Sequence, residues 1–488
     1  MKSIVKLIAA FGASTYVFGA ICIIPTTYAA ENKTNIIVIL ADDLGYADLG
    51  FNGAKDIKTP VLDMLANTGV TFKNGYVTHP YCGPSRAGLL TGRYQARFGM
   101  ENNVSYSPYD IHMGLPLTEK TFAKRLQEVG YKTAIIGKWH LGGAPRFQPN
   151  KRGFDYFYGF LGGGHNYMPH EVTIGGGSYF LPLMRNEGVA EFDDYLTSAL
   201  SKDAVKFIED HQKQPFMLYM AYNAPHTPLQ APKETIAKYK DIKDENRRIY
   251  AAMIDEMDQG IGEIVDALKR TGQYQNTLIF FLSDNGGVYP EDWMPNANWA
   301  DNSPFRRGKV ALLEGGIRVP FIAHWPAKIP KGFIFEGLVS SLDIAATAVE
   351  ISGANASDGL LDGVNLVPYL TGLESGTPHH ALYWRLEEAD HIYAIRTPDA
   401  KYMRQPLPGV GRSFFDMKND PEEQNNIVDT KLMAQSEMAR LWNQWNSQNM
   451  NNVLLQSWEY SEVRNQFYDE LFRQNKQDAI SRETYVIE

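Results

Sequence analysis

Short, uninterrupted apolar runs alternate along this chain with segments of helical period. Residues 35–40, 133–137, 216–222 and 278–282 each read as a strand buried on both faces, because none shows the polar alternation of a half-exposed strand. Residues 60–67, led by Thr59 and closed by Gly69, and residues 121–129, closed by Gly130, carry apolar positions at helical spacing, with Pro60 in the first turn where a missing N–H is harmless. Strands alternating with helices predict an α/β fold: a mostly parallel sheet sandwiched by helices. From about residue 378 the pattern changes to short alternating strands at 381–386, 392–396, 401–404 and 413–416, which predicts a smaller antiparallel sheet. The expected organisation is a leader (1–29), a large N-terminal domain (30–375) and a C-terminal α/β subdomain with a tail (376–488). The tail beyond Asn451, with Trp458, Tyr460, Phe467, Tyr468 and Phe472 among charges, fits no pattern beyond a capping helix or an oligomer contact.

Each buried run ends in polar residues. Asp42-Asp43 follow the first, Lys138-Trp139-His140 the second, His226 the third and Asp284-Asn285 the fourth. Ligands of open α/β sheets bind at the carboxyl ends of the strands, so four such ends predict one convergent site.

The N-terminus has Lys2 and Lys6, an apolar stretch over residues 8–24 and Thr27-Tyr28-Ala29, the layout of a secretory signal. Ile21 before Cys22 is not the small residue that lipoprotein processing wants, and no second apolar run approaches the ~20 residues a bilayer requires. An exported protein without a stable membrane anchor is expected, periplasmic or secreted from a bacterium. Losing Lys2 and Lys6 takes the formal charge from −9 to −11, since no acid leaves with them. Such a balance argues against a nucleic-acid partner, and any polyanionic substrate must be met by local basic clusters. The sequence leaves the oligomeric state open.

After removal of the leader Cys82 is the only cysteine, and an unpaired thiol in an exported chain points to function over packing. Pro84 reads as a first helical residue, Leu89 and Leu90 as a buried stripe and Gly92 as the helix end. Cys82 is thereby placed at a helix N-terminus, where the dipole favours an anion and Arg86 adds a charge suited to a tetrahedral oxyanion. A merely structural thiol is the plain alternative. Asp42, Asp43, Asp284 and Asn285 offer hard oxygen ligands, which suit Ca²⁺, or less readily Mg²⁺, over zinc. Two carboxylate-bearing edges with no lysine between them would repel unless a cation joined them. Strand alternation puts Lys138 and His140 on one side.

The run Cys82-Gly83-Pro84-Ser85-Arg86, continued by Leu90-Thr91-Gly92-Arg93, resembles the signature of type I sulfatases, whose cysteine is converted to formylglycine. Asp42-Asp43-Leu44-Gly45, Ser283-Asp284-Asn285-Gly286-Gly287, Gly137-Lys138-Trp139-His140-Leu141-Gly142, Pro225-His226-Thr227-Pro228, and Gly308-Lys309 leading to Glu314-Gly315-Gly316-Ile317-Arg318 resemble further motifs of that family. The resemblance implies an alkaline-phosphatase-like fold and an aldehyde made from Cys82 by a formylglycine-generating maturation enzyme. It also implies a metal held by Asp42, Asp43, Cys82, Asp284 and Asn285. In the implied mechanism Asp284 helps deprotonate the aldehyde hydrate, which attacks sulfur and forms a covalent sulfo-enzyme intermediate. Arg86, Lys138 and Lys309 bind sulfate oxygens, His226 protonates the leaving oxygen, and His140 takes the proton that lets sulfate depart.

Residues up to 171 read like N-acetylgalactosamine-4-sulfatases and are similar to bacterial carrageenan sulfatases. This implies a sulfated polysaccharide or oligosaccharide substrate, the first reading being the galactose 4-sulfate of carrageenan and the second a glycosaminoglycan. His165 and Asn166 resemble a substrate-contacting loop, while Gly175-Gly176-Gly177 reads as a turn. Arg97, Arg146, Lys151, Arg152 and Arg385 are candidates to line an open groove for neighbouring anionic groups. Arg396 reads as a solvated strand charge. Two other functions stay open: a phosphodiesterase or phosphonate hydrolase of the same superfamily, and a sulfated-glycan-binding protein without catalysis.

Overall fold

The computed structural model describes residues 33–169, 183–290, 297, 299–386, 392–407 and 409–454, with scattered positions beyond. The expected leader, the turn at Gly175-Gly176-Gly177 and the five tail aromatics lie outside the described residues. In chain order the strands of the main sheet are β1 (Asn35–Ala41), β2 (Val70–Tyr76), β3 (Lys132–Lys138), β4 (Tyr156–Phe160), β5 (Leu183–Arg185), β6 (Gly188–Ala190), β7 (Phe216–Ala221), β8 (Thr277–Ser283), β9 (Phe321–His324) and β10 (Phe333–Ser340). The smaller sheet is β11 (Leu382–Arg385), β12 (Tyr393–Arg396), β13 (Ala400–Gln405) and β14 (Gly411–Asp416).

A strand without polar alternation needs cover on both faces, and β1 has it: all seven of its residues are buried. It lies inside a ten-stranded sheet of order β10-β2-β9-β8-β1-β7-β3-β4-β5-β6. β1 pairs in parallel with β7 and β8, and β3 in parallel with β7 and β4. β9 runs antiparallel between β8 and β2. The carboxyl ends of β1, β2, β3, β7 and β8 therefore share one edge. Side chains alternate between two cores: Ile36, Val38 and Leu40 join Phe72, Leu89 and Leu126, while Ile37, Ile39 and Ala41 join Leu62, Tyr250, Met257 and Ile261 of the covering helices.

The helices at Pro60–Thr68 and Phe122–Glu128 occupy the expected segments, the second capped by the Thr121 side chain accepting from Lys124 N. The antiparallel strands also fall where alternation places them. One face of their sheet, with Trp384, Ala394, Met403 and Phe415, packs on Tyr76, Leu312, Leu313 and Ile317 of the main body. The other face, with Ile395, Tyr402 and Phe414, packs on Met438, Trp442 and Trp445 of the Leu432–Asn446 helix. Among the described residues no helix is long and apolar enough to cross a membrane.

Several arginines expected on an open groove are instead structural ties. Arg385 is buried and forms a two-pronged pair with Glu101 at 2.8 and 2.7 Å. Arg97 pairs with Asp362 at 3.0 Å and lies over the Trp445 ring, binding the main body to the C-terminal helix. Arg152 is buried and donates to the carbonyls of Leu115, Pro116 and Glu119. Arg396, expected in solvent, is 2% exposed and donates to the Tyr76 hydroxyl. Period and charge alone do not distinguish a guanidinium that satisfies buried acceptors from one that faces solvent. Lys151 is exposed and pairs with Glu187 at 2.8 Å; Arg146 is exposed.

Candidate active site

The shared strand edge gathers the polar residues that follow each buried run. Asp42 and Asp43 leave β1, Lys138 closes β3, His226 follows β7, and Asp284 and Asn285 leave β8. After β2 the chain crosses to the Cys82–Thr91 helix. That helix begins at Cys82 itself, so Pro84 is its third residue and not its first, and Gly92 closes it at φ 67° with its N–H on the Gly88 carbonyl. The Gly83 N–H is capped by Asn103 Oδ1 at 2.9 Å, a partner from a distant loop.

Cys82 is 1% exposed. Its Sγ lies 3.5 Å from Asp42 Oδ1, 3.8 Å from Asp43 Oδ1 and 3.3 Å from Lys309 Nζ. Burial, reinforced by Asp284, pushes the thiol well above its ordinary range against the pull of Lys138 and Lys309. An unmodified thiol here is protonated, which makes it a poor nucleophile.

Three cations meet three carboxylates. Lys138 Nζ is 2.5 Å from Asp42 Oδ2, Lys309 Nζ is 2.8 Å from Asp43 Oδ2, and Arg86 is 2.8 Å from Asp284 Oδ2 and 3.3 Å from Asp42 Oδ2. The expectation of acids without a compensating lysine is thus corrected, and repulsion alone does not call for a metal. Asn285 carries the stronger sign. Its Nδ2 donates to Asp43 Oδ1 at 2.7 Å, while its buried Oδ1 has no hydrogen-bond partner. A buried acceptor left unsatisfied among carboxylates is what a hard cation would complete. Ligand atoms of Asp42, Asp43, Cys82 and His226 all lie within 4.8 Å of one another, and Asp284 Oδ1 accepts the Asp43 N–H, so the oxygen-rich donor set fits such an ion.

His226 Nε2 is 3.5 Å from Asp43 Oδ2 and its Nδ1 lies 2.7 Å from the Thr227 carbonyl. Burial lowers its pKa to about 3; Asp43 opposes this, and Lys138 and Lys309 add to it. His140 departs from strand alternation: with φ at 57° the chain turns immediately after β3. A Cβ on Gly163 would stand 2.8 Å from His140 Nε2, so that loop passes close only as glycine. His165 is buried against Phe160 and Phe192, with Asn166 buried beside it. The Tyr167 hydroxyl lies 2.5 and 2.8 Å from the carbonyl oxygens of Asn223 and His226, which share its one proton, and ties this loop to the His226 turn. Asn103 and Tyr167 were missed from sequence because a single polar residue in an irregular loop carries no period or spacing.

A family model described as Sulfatase matches residues 34–354, and one described as N-sulphoglucosamine sulphohydrolase, C-terminal, matches residues 307–451. The uncharacterized sulfatase YdeN of Escherichia coli (strain K12) is 34% identical over 414 residues, covering 74% of this chain and 70% of that protein. N-acetylgalactosamine-6-sulfatase of Mus musculus is 35% identical over 358 residues, covering 70% of this chain and 66% of that protein. Among solved structures, Ps i-CgsB in complex with k-i-k-neocarrahexaose is similar with a TM-score of 0.81 at 39% identity, over 91% of this chain and 99% of that one. The phosphonate monoester hydrolase of Agrobacterium radiobacter, at 21% identity and a TM-score of 0.62, shares the fold. A strand edge that gathers these acids, cations and imidazoles around Cys82, matched by a family model over most of the main body, shows that the chain belongs to the sulfatase family and is a sulfuric ester hydrolase.

Proposed function

We propose that this protein is exported and removes sulfate from a carrageenan-type galactan, acting on a galactose 4-sulfate, with Cys82 matured to formylglycine by a maturation enzyme and Ca²⁺ held by Asp42, Asp43, Asp284 and Asn285. The observation that carries the substrate reading is the likeness to Ps i-CgsB, whose solved complex holds a neocarrahexaose and is matched along nearly its whole length. The glycosaminoglycan reading rests on N-acetylgalactosamine-6-sulfatases, which match a smaller share of both chains, and on a structure solved for glycosaminoglycan metabolism in Bacteroides thetaiotaomicron, at the lower identity of 25%.

When present, the formylglycine hydrate supplies the nucleophilic oxygen and the cation neutralises charge on the sulfate. Lys138, Lys309 and Arg86 are fixed donors aimed at the same small volume, so they can bind sulfate oxygens and stabilise the charge dispersed in the transition state. Asp284, its pKa raised by burial and then by Asp42, is placed to hold a proton drawn from the nucleophile. His226 is neutral without substrate, because burial outweighs Asp43. The negative charge of a bound sulfate ester favours its protonated form, which then gives the Nε2 proton to the departing sugar oxygen. His140 is likewise held neutral by burial and by Lys138, and its buried Nδ1, which has no hydrogen-bond partner, is the atom offered to the proton that lets sulfate depart. His165 and Asn166, tied to the His226 turn, contact the substrate.

The test is free-sulfate release by the matured enzyme from carrageenans, chondroitin and dermatan sulfates, heparin and aryl sulfates, with NMR of the position desulfated. Release from carrageenan at the 4-position supports the proposal, and release from glycosaminoglycans alone overturns it. Faster release of phosphate from phosphodiesters than of sulfate from any ester would point to the phosphodiesterase reading.

A further inference from the structure

Lys309 reaches the site from a segment with almost no regular structure of its own. Over residues 306–317 the one helix is the single turn Glu314–Ile317, so the neighbours must fix the backbone. The main body supplies part of that support. Lys309 N–H bonds the Gly287 carbonyl at 3.0 Å, Val310 N–H the Pro80 carbonyl at 3.1 Å, and Gly286 N–H the Gly316 carbonyl at 3.0 Å. The turn is tight: a Cβ on Gly315 would stand 2.3 and 2.4 Å from the Arg307 and Arg306 carbonyl oxygens.

The small antiparallel sheet supplies the rest, through one face of β13. The Gln405 amide accepts the Leu312 N–H at 2.7 Å and donates to the Val310 carbonyl at 2.9 Å. Val310 sits at φ 76°, a conformation unfavourable for a β-branched residue, which persists only where its surroundings enforce it. Lys401, four residues earlier on the same face, places its ammonium 2.9 Å from Glu314 Oε1 and 2.7 Å from Glu423 Oε1, and all three side chains are fully buried. Glu423 Oε2 accepts the Glu314 N–H at 2.7 Å, and the Glu423 carbonyl accepts from Arg306 at 2.5 Å.

Met403 and Leu312 share an apolar cluster that already attaches the sheet to the main body. A fully buried ammonium between two carboxylates adds little net stability over apolar packing but restricts geometry, and an amide spent on two backbone groups does the same. We propose that this sheet is a positioning part of the active site: Gln405, backed by Lys401 and Glu423, holds the backbone after Lys309 so that its ammonium meets Asp43 and residue 82. The inference rests on the reading of Lys309 as a sulfate-binding residue.

The experiment measures kcat and KM of the matured, metal-loaded full chain on a small aryl sulfate, for Gln405→Met in the wild-type and in the Lys309→Ala background. Gln405→Met keeps the side-chain length and removes both hydrogen bonds. It should lower kcat/KM about tenfold or more, since small misplacements of a charge-stabilising group are expensive. In the Lys309→Ala background it should change kcat/KM by less than about twofold, because the group it positions is already gone. Gln405→Glu, which still accepts from Leu312 but repels the Val310 carbonyl, should show the same dependence on background and carries the comparison if Gln405→Met does not fold. Met438→Ala on the opposite side of the sheet is the stability control and should lower Tm with kcat/KM unchanged. Equal losses from Gln405→Met in both backgrounds, no loss in either, or an equal loss from Met438→Ala would each overturn the inference. Should Lys309→Ala alone retain wild-type turnover, the reading of Lys309 itself fails and the inference falls with it, a result visible without any Gln405 variant.

Discussion

A thiol held between two carboxylates and an ammonium, and kept protonated by burial, has no chemistry of its own to offer. The matured protein is therefore expected to show, by mass analysis of the peptide containing Cys82, loss of the thiol and gain of an aldehyde. Cys82→Ser should keep the fold and the melting temperature while losing several orders of magnitude in kcat, because a hydroxymethyl group forms no hydrate. At Asn285 the unpartnered Oδ1 makes a separate prediction: Asn285→Ala should release the bound cation, read by elemental analysis after dialysis, and lower kcat with it. Retained metal in that variant would remove Asn285 from the ligand set. That Asp42, Asp43, Lys138, His226 and Asp284 come to one edge was legible because each closes or follows a buried strand, whereas Arg86 was read from its helix turn after Cys82 and Lys309 from the motif around it. Asn103 and Tyr167 act through contacts between loops far apart in the chain, which local pattern cannot encode. The pairing of each aspartate with its own lysine or arginine was likewise hidden, since it depends on which strands become neighbours.

At the scale of elements, the apolar runs that lacked alternation became the doubly covered strands, and the alternating ones became the small sheet. The reading failed where chain direction changes. His140 lies past the end of β3 in a left-handed conformation, and the Cys82–Thr91 helix starts two residues before its proline. It failed also for basic residues on elements, whose surroundings are tertiary. Arg385 on β11 illustrates the consequence: removing it takes from Glu101, which is 1% exposed, its two-pronged guanidinium partner. Arg385→Met should lower stability by about 3 to 5 kcal/mol in urea unfolding, the usual result of breaking a buried pair. It should leave KM for a carrageenan polymer unchanged. A raised KM with unchanged stability would restore Arg385 to the substrate groove.

Over the whole molecule, burial leaves further imidazoles neutral beyond His140 and His226, and this couples stability to pH. His79 is fully buried, accepts the Tyr81 N–H through Nδ1 and leaves Nε2 without a partner; burial lowers its pKa to about 3. His324, at the end of β9, is 1% exposed with Nδ1 unpartnered, and burial, with Lys331 and Lys269 adding, lowers its pKa to about 4. Both folded values lie below the ordinary histidine value, so between the two the unfolded chain binds more protons and stability rises with pH. The contribution is complete above about pH 6.5 and falls on acidification by about 1.4 kcal/mol per pH unit for each group. His379 works in the opposite sense: burial pushes its pKa down, but Asp343 at 2.8 Å outweighs this and raises it, so its contribution is present in acid and lost as pH rises. Four depressed imidazoles, these two together with His140 and His226 of the site, against one raised predict that the urea midpoint drops between about pH 6.5 and 5. Replacing the titrating rings by amides, as His79→Asn and His324→Gln, should flatten that slope even where it lowers stability at neutral pH. An unchanged slope in the double variant would assign the acid sensitivity to His140 and His226 or to the carboxylate clusters instead.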